Sequence, residues 1–198
     1  MISGIVLAAG ASTRMGEPKA LLDWGGMPLI CYQVRQLREA GADEVIVVLG
    51  HRSDDINRRM RRENCRVMNN PRYHAGRAGS LRIGAKAVNR DTEAIVIVNV
   101  DQPRPAEFLR ALIAAHDPRH AATRPTFEGH TGHPIVVSGW LRPELLEAKD
   151  ESDGLRGILH AHVSELGEFV TGELAVLDVN TPEEYRAAVA RWAPVASA

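Results

Sequence analysis

The sequence predicts an α/β fold, a three-layer α/β/α sandwich with helices on both faces of a mixed, mainly parallel sheet. Two observations predict it. Short β-branched apolar runs alternate with amphipathic stretches from end to end, which is the pattern of α/β layering. Those runs are also almost continuously apolar, as strands buried on both faces of a sheet are. The expected strands are ISGIVLA (2–8), EVIVVL (44–49), AIVIVNV (94–100), PIVVS (134–138) and ELAVLDV (173–179). Between the first two, residues 28–40 set Ile30, Val34 and Leu37 on one stripe, with Pro28 at the opening turn and Gly41 as a stop, so a crossover helix is expected there. The run Arg58-Arg59-Met60-Arg61-Arg62 is balanced by Asp54, Asp55 and Glu63 and reads as the solvated face of a short polar helix. After the last run, Thr181-Pro182-Glu183-Glu184 forms a capping box, and Tyr185, Ala188, Val189 and Trp192 continue a terminal helix. No repeat, low-complexity tract or long linker divides the chain, so residues 1–198 are expected to form one domain.

Composition narrows the partners. With 198 residues, 44% of them hydrophobic, the chain is long enough to bury a full core without staples. A net charge of −1 and a pI near 6.7 supply no basic field for a nucleic-acid backbone, and a small anionic substrate fits better. Only Cys31 and Cys65 are present, without metal or disulfide spacing. The opening MISGIVLAAG is too short an apolar run for a signal peptide or a membrane span. A cytoplasmic protein with no nucleic-acid or membrane partner is therefore expected.

The first strand runs into Leu7-Ala8-Ala9-Gly10-Ala11-Ser12-Thr13-Arg14-Met15-Gly16-Glu17-Pro18-Lys19. Small residues there let a ligand approach the backbone, successive amides can cradle phosphate oxygens, and two cations close the turn. Neither GxxxxGK[ST] nor GxGxxG occurs, so a P-loop and a dinucleotide fingerprint are excluded. Asp101-Gln102-Pro103 follows the central strand, at the carboxyl end where open α/β sheets place their ligand crevice. A hard cation such as Mg²⁺ needs one or two protein carboxylates and completes its shell with phosphate and water oxygens, which makes Asp101 the first candidate ligand. A turn or helix cap is the alternative reading of that aspartate.

Three further stretches carry candidates. Asn70-Pro71 and Gly76-Arg77-Ala78-Gly79-Ser80-Leu81-Arg82-Ile83-Gly84 bring small residues to a helix start, where Gly79 or Ser80 is either a cap or a ligand contact. Gly129-His130-Thr131-Gly132-His133-Pro134 offers His133. His120 and His130 nearby lack the ligand spacing of a zinc site, and His160 and His162, two apart in a helix, face different ways. Asp153-Gly154-Leu155-Arg156-Gly157 offers Arg156, alternatively an exposed arginine at a capped helix start.

The string LAAGxSxRMGxxKxLL closely resembles the signature of the nucleotidyltransferases that attach a nucleotide to the molybdenum cofactor. These are a branch of the wider family that includes sugar-phosphate pyrophosphorylases, with a Rossmann-like, nucleotide-diphospho-sugar transferase-like fold. The DQP, NPxYxxGxxxSLxxG and GHP stretches, a degenerate GDxGAR loop at 153–157, and DVNTPEE at 178–184 extend the likeness along nearly the whole chain. The resemblance implies a Mg²⁺-dependent transfer of CMP from CTP to molybdopterin. Arg14 and Lys19 would hold the β- and γ-phosphates, and Leu7, Ala8, Ala9, Gly10, Gly79 and Ser80 the rest of the nucleotide. Asp101, with Asn180 or Asp178, would bind the metal, while His133 and Arg156 would face the acceptor. LAAG resembles the cytidylyl-transferring members and LAGG the guanylyl-transferring ones, so Ala9 points to CTP; Asn180, where cytidylyl members carry Asp, points the other way. Asn99-Val100 before Asp101 also departs from the family's pattern. The alternatives are a guanylyltransferase, a nucleotidyltransferase acting on a sugar phosphate or another small phosphorylated acceptor, or a nucleotide-binding carrier with little turnover that delivers cofactor to a client molybdenum enzyme.

Overall fold

A computed structural model describes residues 1–152 and 154–194. Strand β1 (Ile2–Ala8) leads through a long loop into helix α1 (Leu29–Glu39), then β2 (Glu44–Leu49), α2 (Ser53–Arg59) and β3 (Arg66–Asn69). Helix α3 (Ala78–Ala87), β4 (Ala94–Asn99) and α4 (Ala106–Ala114) follow, then β5 (Ala122–Phe127), the short β6 (His130–Thr131) and β7 (Ile135–Ser138). The described chain ends with α5 (Arg142–Leu146), α6 (Leu155–Ala161), β8 (Leu166–Val170) and α7 (Pro182–Trp192).

One sheet holds the eight strands in the order β3-β2-β1-β4-β7-β5-β6, with β8 also paired to β5. β1 pairs in parallel with β2 and β4, and β2 with β3. β7 runs antiparallel to both β4 and β5, and β8 runs parallel to β5. The sheet is therefore mixed and mainly parallel. Register has a consequence for function: Ile135 of β7 lies opposite Ile97 of β4. The start of the reversed strand thus meets the sheet edge at which β1 and β4 end.

Alternation along the central strands divides the core in two. Val6, Val47, Val96 and Val98 point to one face, where α1 and α4 cover them with Leu29, Ile30, Leu37, Leu109 and Leu112. Ile5, Ile46, Val48, Ile95 and Ile97 point to the other, against Leu81 and Ala85 of α3, Leu145 of α5 and Leu159 of α6. This two-sided burial is why the strands read as unbroken apolar runs. Leu37 is fully buried, so Leu37→Ala is expected to cost about 2–5 kcal/mol of stability, from lost transfer energy plus the cavity left behind. Chemical denaturation midpoints check it.

The structure departs from the sequence expectation at 173–179. Glu173–Val176 is a 3₁₀ turn and no strand follows. Arg104 and His133, rather than a neighbouring strand, satisfy the backbone here: the carbonyls of Ala175 and Leu177 accept from the Arg104 guanidinium, and that of Ala175 also accepts from the amide of His133. The capping box of α7 forms as expected, with the Thr181 hydroxyl accepting from the amide of Glu184 and the Glu184 carboxylate accepting from that of Thr181. His162 closes α6 as its C-cap and bonds Glu144 and Glu165.

Candidate active site

A cleft of about 510 Å³ opens at the edge where β1 and β4 end. Its floor is the first loop, anchored on one side by β1 and on the other by buried Ala20, Leu22 and Trp24. Between these anchors the backbone takes left-handed conformations at Ser12 and Gly16, and the Ser12 hydroxyl accepts from the amide of Lys19. That bond draws the end of the loop back onto its middle. Leu7, Ala8, Ala9, Gly10, Arg14 and Lys19 all line the cleft, with Arg14 exposed at the outer turn.

Lys19 stands at the centre. Its ammonium donates to Asp101 Oδ2 at 2.8 Å and to Asn180 Oδ1 at 2.8 Å. The Lys19 side chain is 11% exposed and that of Asp101 24%, so the pair is partly screened from water. The third oxygen-bearing candidate, Asp178, also lines the cleft and accepts from Gln102 Nε2 at 2.7 Å. The amide of Val179 donates to the carbonyl of Asp101, which ties the two oxygen-bearing segments together through main chain.

A divalent cation fits this donor set. Two side-chain oxygens from distant parts of the chain already converge on one positive nitrogen, and Asp178 lies in the same cleft. Among the described residues there is no group of three or more His, Cys, Asp or Glu able to hold a metal. That suits a hard ion, which completes its shell with substrate and water oxygens, rather than a closed protein cage.

The second predicted metal segment is not a strand, so strand alternation does not bring Asp178 and Asn180 to one face. They share the cleft because the 175–180 segment is anchored from beneath. Arg104 supplies that support and Gln33 holds the facing turn; both are fully buried. Gln33 Nε2 donates to the carbonyls of Asn99 and Gln102, holding the turn that carries Asp101. Arg104 reaches four carbonyls, described below. Sequence reading missed both residues. Gln33 had a signal, a polar side chain between Ile30 and Val34 on the buried stripe of α1; Arg104, in a proline-flanked turn, had none.

The remaining candidates divide. Ser80 is the third residue of α3, faces the cleft and accepts from Asn70 Nδ2 at 2.9 Å. It does not cap its helix; Asp150 accepts from the amide of Ala78 instead. Gly79 lies away from the cleft, lining a neighbouring cavity with Asn70, Arg82 and Asp150, because one step along a helix turns it to another face. Tyr73 and Arg77 line the cleft although neither was singled out.

His133 sits between two spaces. It lines the first cleft and a second cavity of about 560 Å³ that also holds Arg156 and Arg124. Burial pushes the His133 imidazole below its usual range, with the carboxylates of Asp178 and Asp101 opposing that shift in part and the guanidinium of Arg104 reinforcing it. Its Nδ1 is buried without a hydrogen-bond partner among the described residues, and the peptide to Pro134 is cis. Gly132 beside it permits the close packing, since a Cβ there would lie 1.8 Å from the carbonyl of Ala175. Asp153, grouped with Arg156 in the sequence, lies outside the described residues.

A parallel strand feeding a cation-closed backbone loop, opposite a carboxylate at the end of the central strand, makes a crevice suited to a phosphate-bearing ligand. Residues 4–166 match the MobA-like NTP transferase domain, and the chain belongs to that family of nucleotidyltransferases. It is 26% identical to the molybdenum cofactor cytidylyltransferase of Escherichia coli strain K12, over 98% of each chain. A 45-residue stretch, 23% of this chain, is 53% identical to 24% of the molybdenum cofactor guanylyltransferase of Xanthomonas euvesicatoria. Among solved structures, Rv0371c of Mycobacterium tuberculosis H37Rv superposes with a TM-score of 0.83 at 28% identity, covering 96% of this chain and 97% of that one. Rv0371c has also been solved in complex with manganese, at a TM-score of 0.80 and 26% identity over 96% and 98% of the two chains. Among the described residues no helix is long and apolar enough to cross a membrane.

Proposed function

We propose that this enzyme transfers CMP from CTP to molybdopterin, with Mg²⁺ as its metal and pyrophosphate as its second product. The observation that carries the reading is the Lys19 ammonium shared between Asp101 and Asn180 in a cleft floored by the LAAG loop. The backbone from Leu7 to Gly10 would lie along the nucleoside, with Ser80 beside it. Arg14 and Lys19 would neutralise the β- and γ-phosphates. His133 and Arg156, lining the adjoining cavity, would face the acceptor.

The bond changes are those of an in-line displacement. A terminal phosphate oxygen of the acceptor attacks the α-phosphorus of CTP, the bond from that phosphorus to the bridging oxygen breaks, and pyrophosphate leaves toward Lys19 and Arg14. No covalent enzyme intermediate is needed, and the protein's part is orientation and charge neutralisation. When bound to Asp101 with Asn180 or Asp178, magnesium would supply positive charge where the α-phosphate gains negative charge. Phosphate oxygens would draw Lys19 away from Asp101 and Asn180, releasing those oxygens for the cation.

Pyrophosphate release from CTP, GTP, ATP and UTP, each with Mg²⁺ and with or without molybdopterin, tests the reading. Release from CTP that requires molybdopterin supports it. The short stretch shared with a guanylyltransferase and the amide at Asn180 favour GTP as the second reading, and preference for GTP in the same assay would establish it. Release only with another phosphorylated acceptor would move the assignment to that acceptor.

A further inference from the structure

Arg104 is fully buried, yet among the described residues no carboxylate hydrogen-bonds it. Burial pushes its guanidinium down to about 10, with Asp178 and Asp101 acting through space to hold the charge, so it remains a cation at pH 7. Four of its five N–H groups are spent on main chain. Nε donates to the carbonyl of His133 at 3.1 Å and Nη1 to that of Pro103 at 2.9 Å. Nη2 donates to Ala175 at 3.1 Å and Leu177 at 3.0 Å. The side chain also lies beside the ring of Phe108, 5.8 Å from its centroid.

Those four carbonyls belong to three separate segments. One is the turn after β4 that carries Asp101, another is the irregular stretch leading to Asp178 and Asn180, and the third is the loop that presents His133. A planar fork with fixed donor directions can hold three strands of irregular backbone in one arrangement, which a flexible ammonium cannot. A buried cation this close also offsets the repulsion between Asp101 and Asp178, which share one cleft.

We propose that Arg104 is a positioning residue for the transfer reaction, fixing the oxygens of Asp101, Asp178 and Asn180 and the His133 loop relative to one another. It touches neither substrate nor metal and acts through the main chain of the residues that would. This rests on the metal reading of the preceding section, and its test keeps the two apart.

The test is Mn²⁺ binding followed by electron paramagnetic resonance in the presence of CTP, with kcat, KM and melting temperature, on wild type, Arg104→Met and Arg104→Lys. In folded Arg104→Met, Mn²⁺ affinity and kcat should each fall about 10- to 100-fold, as for outer partners of metal ligands generally, while KM for the triphosphate changes little. Arg104→Lys keeps the charge but reaches fewer carbonyls, so it should fall between the two; it also carries the test if the methionine variant does not fold. Wild-type Mn²⁺ affinity and kcat in a folded variant would overturn the inference and leave the metal reading standing. Failure of wild type to bind Mn²⁺ with CTP would overturn the metal reading and the inference with it.

Discussion

Lys19→Met is expected to lower kcat/KM for the triphosphate by about 10²–10³-fold, the usual loss when one preorganised charge is removed from a developing anion. It should also tighten Mn²⁺ binding to the nucleotide-free protein. The two effects have opposite signs because Lys19 has two sets of partners. Without nucleotide its ammonium occupies Asp101 Oδ2 and Asn180 Oδ1, each at 2.8 Å, the same oxygens a metal would use, so ammonium and metal compete. With nucleotide bound the phosphates take the ammonium, and losing it removes neutralising charge from departing pyrophosphate. Steady-state kinetics and Mn²⁺ titration measure the two arms separately. A fall in turnover with unchanged metal affinity would mean that the ammonium does not compete for those oxygens.

Asp101→Asn is the second large effect. The substitution keeps the shape and an acceptor oxygen for Lys19 but removes the negative charge, so binding of a divalent ion weakens. Turnover should fall by about 10²–10³-fold, which is about 2.7–4 kcal/mol of transition-state stabilisation. The fold should be nearly unaffected, because the bond from Val179 runs to the main-chain carbonyl of Asp101. Assay at rising Mg²⁺ distinguishes a metal ligand from a helper: partial recovery at high Mg²⁺ indicates weakened binding, whereas a constant deficit indicates another role for the carboxylate.

Much of the fold could be read from the sequence because its central strands are buried on both sides. The runs at 2–8, 44–49, 94–100 and 134–138 correspond to β1, β2, β4 and β7 within a residue at either end. What escaped notice lies toward the sheet's edges. β3 has exposed ends, β5 carries Arg124 and Pro125, and β8 mixes Gly167 and Glu168 with Phe169; none shows the continuous apolar signal of the centre. At 173–179 the error ran the other way. Ala175 and Val179 are fully buried, so the segment has a strand's hydrophobicity, but its hydrogen bonds go to a guanidinium and a loop. Pattern reports burial, not the identity of the backbone's partner.

The site follows the same division. The residues that converge in the cleft, from Leu7 through Lys19 with Asp101, Asp178 and Asn180, lie in short strings whose spacing carries their chemistry. Gly79 was grouped with its neighbour Ser80, and helical geometry separated them. Gln33 showed only as a polar residue on an apolar stripe and Arg104 not at all, because their task is to hold carbonyls, and carbonyls have no letter in a sequence.

The reversed direction of β7 has an evolutionary consequence. The first loop and the turn bearing Asp101 leave the sheet as β1 and β4 end, whereas the loop bearing His133 arrives on the way into β7. Residues 128–131 can therefore be lengthened, shortened or rewritten without disturbing the parallel ladder β3-β2-β1-β4 or the LAAG loop that β1 aims. On the proposed assignment the fold is modular, with a nucleotide side kept constant by the sheet and an acceptor side open to exchange.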